Sequence, residues 1–300
     1  MKAMRLTLGT QVPPSIVVNS LMQNSQTLGL PIVYYQQLNF EMIRHHGNIT
    51  LRRRSRESKD LQCRNNLCKA SNFVEEYFGS VTSIRRKRLA IFVSGGGSNF
   101  RSIHNATING LINGDIVVLV TNKTGCGGAE YARNYDIPVI LYPKLKESME
   151  ELSSIDLVNS LRKFEVDFVL LAGYLKLIPI ELIQAYPRSI VNIHPSLLPA
   201  FGGKGYYGLK VHKAVIASGA RYSGPTVHFV DEHYDTGKIL SQKVVPVFAN
   251  DTAEQLATRV LQEEHQLYVE AVSALCEERV VWREDGVPLI RSRENPNEYT

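Results

Sequence analysis

Leu89-Ala90-Ile91-Phe92-Val93 runs straight into Ser94-Gly95-Gly96-Gly97-Ser98-Asn99, and an amphipathic stretch follows over 98–110. A short apolar run, a glycine turn and a helical period in that order read as one strand–turn–helix unit. The same grammar recurs downstream. Apolar runs at Ile116–Val120, Val139–Leu141, Phe168–Leu171 and Ile190–Ile193 are separated by amphipathic stretches near 126–135 and 153–164. Strands apolar along their whole length, alternating with helices, imply a parallel sheet covered on both faces. The right-handed crossover then makes it doubly wound, an α/β fold with its ligands at the carboxyl ends of the strands. From Thr226 the texture shifts. Thr226–Val230 and Ile239–Val247 read as an antiparallel C-terminal extension of this mostly parallel sheet. A long helix is expected over about 252–275, opened by Thr252 with Gln255 three residues on, a capping box. A hairpin of Val280–Trp282 and Val287–Ile290 should turn at Glu284-Asp285-Gly286.

Upstream of Leu89 the composition is different. Residues 1–88 hold 14 Lys and Arg against 5 Asp and Glu, whereas the remainder holds 20 against 24. The overall charge of +5 therefore belongs to the N-terminal segment and does not argue for a nucleic-acid partner of the folded part. That segment shows no sustained helical or strand period, and only Glu41, Glu57 and Asp60 supply acid before residue 70. It also carries Arg52-Arg53-Arg54-Ser55-Arg56. An Arg- and Ser-rich, acid-poor segment is the signature of an organellar transit peptide. The alternative is a disordered basic tail that binds RNA or a membrane surface. Residues 1–85 are thus expected to be a transit or disordered basic segment, cleaved between about residues 60 and 86. Residues 86–300 are expected to form the catalytic domain. The plastid stroma is the expected destination, with the mitochondrion as the alternative. Cys63, Cys68, Cys126 and Cys276 form no C-x-x-C pair, which suggests neither a disulfide framework nor a zinc site. No apolar run approaches the roughly 18 residues of a membrane helix.

The glycine loop suits an anion. Glycines allow close backbone approach, and the helix N-terminus behind them offers unpaired N–H groups. The dinucleotide pattern fails because Phe100 stands where a third glycine would be and the second strand ends in Thr121-Asn122-Lys123 with no acid. No Gly-Lys-Ser/Thr follows, so the loop is not a triphosphate cradle either. A monophosphate fits best, and a plain strand–helix turn is the alternative.

A second constellation closes the fifth strand: Asn192-Ile193-His194-Pro195-Ser196-Leu197-Leu198-Pro199. Period-2 alternation puts Asn192 and His194 on one side at the carboxyl end. An amide and an imidazole there can stabilise and protonate an oxyanion. A histidine near a strand end, taken alone, is more often structural. Farther on, Asp235 precedes Thr236-Gly237 and is either a turn-forming Asp or the carboxylate that orients and charges His194. His228 shares a face with Thr226 and Val230 and so can line the same pocket. His104 reads as structural, and His212 has no assigned role.

Ser94-Gly95-Gly96-Gly97-Ser98-Asn99, Ala172-Gly173-Tyr174-Leu175-Lys176-Leu177-Ile178, Asn192 to Pro199, and His228-Phe229-Val230 with Asp235 and Gly237 occur in this order. Together they resemble the folate-dependent formyltransferases, and the glycine loop resembles the glycinamide ribonucleotide branch of that group. The resemblance runs from about Leu89 to about Trp282. It implies the formyltransferase fold and transfer of a formyl group from 10-formyltetrahydrofolate to the amine of 5'-phosphoribosylglycinamide, in de novo purine (IMP) biosynthesis. It implies Asn192, His194 and Asp235 as catalytic residues. The substrate phosphate would sit on Gly97, Ser98 and Asn99, with Glu264 of the long helix contacting the substrate. The folate would lie near Leu175, Lys176, Leu177 and Ile178, beside Asn192. Protonated His194 and Asn192 would hold the oxyanion, with Asp235 favouring the imidazolium. No metal is required, and the expected partners are the two small molecules, with no nucleic acid, no membrane, and a homodimer as the candidate assembly. Without the resemblance, Glu264 would read as a solvated helix-face charge. Ala200-Phe201-Gly202-Gly203-Lys204-Gly205-Tyr206-Tyr207-Gly208 is several residues longer than in shorter family members. It is expected to act as a lid, with Lys204 either reaching a phosphate or, as the plainer reading, solvated. Lys144 or Lys146 stand where some members touch the folate tail. A formyltetrahydrofolate hydrolase is the alternative, but residues 1–85 lack the pattern of its regulatory domain. A transfer-RNA formyltransferase would need a basic C-terminal domain. A non-catalytic nucleotide-binding module would not need Asn192, His194 and Asp235 together.

Overall fold

In the computed structural model of the chain, the described residues are 40–45, 48–53, 85–143 and 152–300. Chain contacts divide it between Thr82 and Ser83, a few residues before the boundary expected from composition. In the N-terminal unit, β1 (Phe40–His45) and β2 (Asn48–Arg53) pair antiparallel, Phe40 opposite Arg53 and His45 opposite Asn48. No sustained strand period marks this hairpin in the sequence. Each run is six residues with only a few β-formers such as Ile43, Ile49 and Thr50, too short for a period-2 signal to emerge. The expected cleavage region and both Lys144 and Lys146 lie outside the described residues.

The second unit is built on a seven-stranded sheet. Its strands are β3 (Lys87–Val93), β4 (Gly114–Thr121), β5 (Val139–Leu141), β6 (Phe168–Leu171), β7 (Ile190–His194), β9 (Thr226–Phe229) and β10 (Ile239–Gln242). Their spatial order is β10-β9-β7-β6-β3-β4-β5. The five strands β3 to β7 run parallel, and β9 and β10 are antiparallel at one edge. The first strand in sequence is therefore internal, with β4 on one side and β6 on the other. Strand order reverses there, so the carboxyl ends of β3 and β6 open a crevice.

The alternation of β3 shows how the sheet is covered. Leu89, Ile91 and Val93 pack with Phe100 and Ile103 of α1 (Ser98–Ile108), Ala129 of α2 (Gly127–Asn134) and Tyr268 of the long C-terminal helix. Ala90 and Phe92 face the other way, against Leu157 and Leu161 of α3 (Ser154–Lys163) and Leu182 of α4 (Ile180–Ala185). A third cluster joins Val211 and Val215 of α5 (Leu209–Ser218) to Val245, Leu256 and Val260. The long helix, α6 (Ala253–Cys276), opens with the expected capping box of Thr252 and Gln255. Tyr268 on it is fully buried, and its hydroxyl lies 3.1 Å from both the Leu171 and Val191 carbonyls, tying the helix to the end of β6 and the start of β7.

The expected strand over 239–247 is broken in two. β10 stops at Gln242, and β11 (Val245–Pro246) leaves the main sheet to pair with β8 (Tyr222–Ser223). The cause is local: Lys243 N–H bonds the Pro225 carbonyl, and Gly224, at φ 142°, lies so close that a Cβ there would meet the Lys243 oxygen at 1.8 Å. β12 (Val280–Trp282) and β13 (Pro288–Ile290) form the expected hairpin.

Candidate active site

Two groups of residues meet at the carboxyl end of the sheet. The first is the glycine loop. Gly97 takes a left-handed conformation (φ 75°) and caps α1 with no side-chain acceptor and no acid in the first turn. By contrast α3 and α6 both carry complete capping boxes. The first-turn N–H groups of α1 are thus left for an external anion. Only glycine fits at Gly97, since a Cβ would stand 2.9 Å from Gly128 Cα on α2. Gly128 N–H in turn bonds the Gly95 carbonyl at 3.0 Å, so α2 buttresses the loop. Ser94 ties the loop to its neighbours. Its N–H bonds the Gly173 carbonyl, its hydroxyl donates to Asn122 Oδ1, and it accepts from Leu175 N–H.

Asn99 and Glu264 are both about nine-tenths buried, and Asn99 Nδ2 donates to Glu264 Oε2 at 2.8 Å. Burial pushes the Glu264 carboxyl above its ordinary range, and the Asn99 bond only partly opposes this. One of the two Asn99 side-chain N–H groups is thus taken by Glu264, and the backbone N–H of Asn99 is a further donor at the loop.

The second group forms where β7 meets β9. Asn192 is the register partner of His228, and His194 of Thr226. Thr226 pins the chain after His194: its hydroxyl donates to the Ser196 carbonyl at 2.7 Å and accepts from Leu198 N–H at 3.1 Å. His194 Nε2 lies 2.9 Å from the Phe201 carbonyl, and Nδ1 lies 3.5 Å from Asp235 Oδ2. A carbonyl can only accept, so Nε2 carries the proton in either charge state. The nitrogen that gains or loses a proton is Nδ1, facing Asp235. Burial lowers the His194 pKa below its ordinary value, against the opposing effects of Asp235 and the Phe201 carbonyl. His228 is buried too; its Nδ1–H donates to the Phe229 carbonyl at 2.8 Å, and its Nε2 lies 3.1 Å from Asn192 Nδ2 and 3.6 Å from Asp235 Oδ1.

Asp235 receives the Gly203 N–H at 2.9 Å. Burial would raise its carboxyl, but His228, His194 and Gly203 outweigh that and hold it below the usual range. Phe201 (φ 55°) and Asp235 (φ 59°) both sit in the left-handed region that non-glycine residues avoid. The two residues that grip His194 are thus held in strained backbone, a pattern that gathers at functional sites.

A cavity of about 630 Å³ joins the two groups. Gly97, Ser98, Asn99, Asn192, His194, Asp235 and Glu264 all line it, as do Gly203 to Gly208 of the long loop. Of the residues expected at the folate, Leu175 and Asn192 line the cavity, while Lys176 and Leu177 are exposed outside it. Ile178 is buried in the core with Leu182, so it can offer only its backbone. Sequence reasoning gave no role to His212, which is buried in the cavity wall with Nδ1 unpartnered. The periodicity of Val211, His212 and Val215 carries that signal once α5 is drawn. It also passed over Leu261, which lines the cavity from α6, while Tyr234 lies in the Val230–Asp235 stretch whose backbone the resemblance places at the folate.

A family model described as formyl transferase matches residues 87–272, the span that carries both groups. The chain is 77% identical over 217 residues to phosphoribosylglycinamide formyltransferase, chloroplastic, of Vigna unguiculata, covering 72% of this chain and 70% of that one. It is 67% identical over 227 residues to the protein of the same name from Arabidopsis thaliana, covering 75% and 78%. Among solved structures, a phosphoribosylglycinamide formyltransferase from Anaplasma phagocytophilum superposes with a TM-score of 0.61 at 30% identity, over 70% of this chain and 97% of that one. With sheet order, glycine loop and the His194 cluster all inside the matched span, the chain belongs to the formyl transferase family.

Proposed function

We propose that the chain transfers a formyl group from 10-formyltetrahydrofolate to the amine of 5'-phosphoribosylglycinamide, a step of purine (IMP) biosynthesis, in the chloroplast. The observation that carries this reading is the single cavity that joins an uncapped helix N-terminus to the Asn192, His194 and Asp235 group. Its volume of about 630 Å³ lies within the range of small-molecule sites. The N–H groups of Gly97, Ser98 and Asn99 receive the phosphate, and Glu264 accepts from the sugar side of the nucleotide. The folate supplies the formyl carbon at the transferable oxidation level.

His194 begins neutral, because burial disfavours its charged form. Nδ1 takes the proton that the attacking amine gives up. The resulting imidazolium faces the Asp235 carboxylate, and with the Asn192 amide it holds the negative charge that develops on the formyl oxygen. Nδ1–H then returns the proton to the departing folate nitrogen. Asn192 Nδ2 lies 3.1 Å from His228 Nε2, and at least one of its two N–H groups is left for that oxygen.

The test is a formyl-transfer assay with purified protein, 10-formyltetrahydrofolate and three acceptors: the glycinamide ribonucleotide, water and simple amines. Rapid turnover with the ribonucleotide alone is expected. Folate consumption at the same rate with water would overturn the reading.

A further inference from the structure

The cavity described above is poor in positive charge where it expects a dianion. Of the described residues that line it, the only Lys or Arg is Lys204. The phosphate cradle offers backbone N–H groups, its Asn99 amide is tied to Glu264, and Glu264 itself is a carboxyl in the same wall. The nearest cation along the chain, Arg101, is turned onto the ring of Tyr131 on α2, 5.2 Å from its centroid, and does not line the cavity. Lys210 lies 3.1 Å from the Tyr207 hydroxyl and over its ring. Lys204, the one cation that lines the cavity, makes no hydrogen bond or ion pair among the described residues.

Its placement is also defined. The loop that bears it is anchored at the reaction centre by the Phe201 carbonyl on His194 and the Gly203 N–H on Asp235. One residue later the chain is free to turn: Lys204 stands between Gly203 (φ 96°) and Gly205 (φ 98°), conformations that glycine adopts without strain. A four-carbon ammonium on such a pivot can swing over the cavity while its anchor stays on the catalytic pair.

We propose that Lys204 is a substrate-positioning residue that clamps the phosphate of the bound ribonucleotide against the N-terminus of α1. This rests on the nucleotide reading given under Proposed function. The other anion available is the carboxylate end of a folate, and the separate KM values measured below distinguish the two. A charge-assisted contact of this kind is worth about 10- to 100-fold in affinity.

The experiment compares the wild type with Lys204→Gln and Lys204→Arg in the full chain. The measured quantities are KM for each substrate, kcat, and the dissociation constant of inorganic phosphate by calorimetry. Expected for Lys204→Gln is a rise of about 10- to 100-fold in the ribonucleotide KM and weaker phosphate binding. The folate KM and kcat should move by less than about twofold, Lys204→Arg should recover most of the loss, and the nucleoside lacking the phosphate should be used equally by all three proteins. An unchanged ribonucleotide KM and phosphate affinity would overturn the proposal, as would a rise confined to the folate KM. If the wild type does not formylate the ribonucleotide at all, the functional reading fails. Phosphate calorimetry then decides Lys204 by itself, and equal binding or no binding in wild type and Lys204→Gln counts against it.

Discussion

Which nitrogen of His194 does the chemistry follows from one carbonyl. Because Phe201 fixes Nε2 as a donor, protonation at Nδ1 is the only event left to the ring. His194→Ala should therefore lower kcat by about 10²- to 10³-fold or more, measured with saturating substrates. The pH profile gives a finer check. In the proposed scheme activity is lost as pH falls through the His194 pKa, which burial places below its ordinary value. Asp235 raises that pKa, so Asp235→Asn should lower the maximal rate and move the acid limb to still lower pH. A limb that moves upward would contradict the assignment. His212 supplies a separate, stability-based prediction. Its pKa is lowered to about 4 by burial first and by His194 second. Between that value and its unfolded pKa of about 6.5 the unfolded chain holds more protons, so stability is full above the window and falls as acid is added. The loss is about 3 kcal/mol and levels off below the folded pKa. Urea unfolding at pH 7 and pH 4.5 should show a smaller gap for His212→Gln than for wild type, and equal gaps would sink the idea. That Asn192 and His194 share one side at the end of a strand was legible from alternation, whereas Asp235 read as a turn residue or an orienting carboxylate until the family resemblance grouped it with them. The Nδ1 assignment was not legible, since it depends on a carbonyl seven residues away in a loop with no periodicity.

At the level of elements, the glycine loop and α2 act as one piece. Gly97 and Gly128 approach so closely that neither tolerates a side chain, and a Cβ on Gly128 would stand 2.6 Å from Val93 Cγ1. Gly128→Ala should cost about 1–3 kcal/mol as overpacking, and should raise the ribonucleotide KM by pushing on the loop. Calorimetric Tm and steady-state kinetics check both halves, and a variant with native Tm and native KM would refute the coupling. Elements of eight or more residues with clear amphipathicity, such as α1, α3 and α6, were readable from spacing. α4 was not, because six residues hold less than two turns of period. The break at Lys243 was hidden for another reason. The polar run Ser241-Gln242-Lys243 within Ile239–Val247 does not by itself tell a strand that continues from one that breaks, and the contact with Gly224, near in space but 19 residues away in sequence, is what divides it.

For the whole molecule, the compositional boundary near residue 85 and the contact boundary at Thr82 nearly coincide. Both of the groups that build the cavity lie after it. A chain beginning at Ser83 should therefore fold with the Tm of the full protein and turn over the ribonucleotide within about twofold of it, since no residue of the N-terminal unit lines the cavity among those described. Loss of the thermal transition in the shortened chain would show that the boundary is wrong. Fold class and strand direction were open to sequence reasoning because parallel strands must be apolar on both faces. The sheet order was not, because nothing in a run such as Leu89–Val93 says that it will be internal. That internal position has a practical result. Polypeptide arriving from upstream joins β3 at its amino end, and everything reactive stands at the other end of the same strand. Chains trimmed at different residues before Lys87 should therefore turn over the ribonucleotide alike, whatever the accuracy of the protease that trims them.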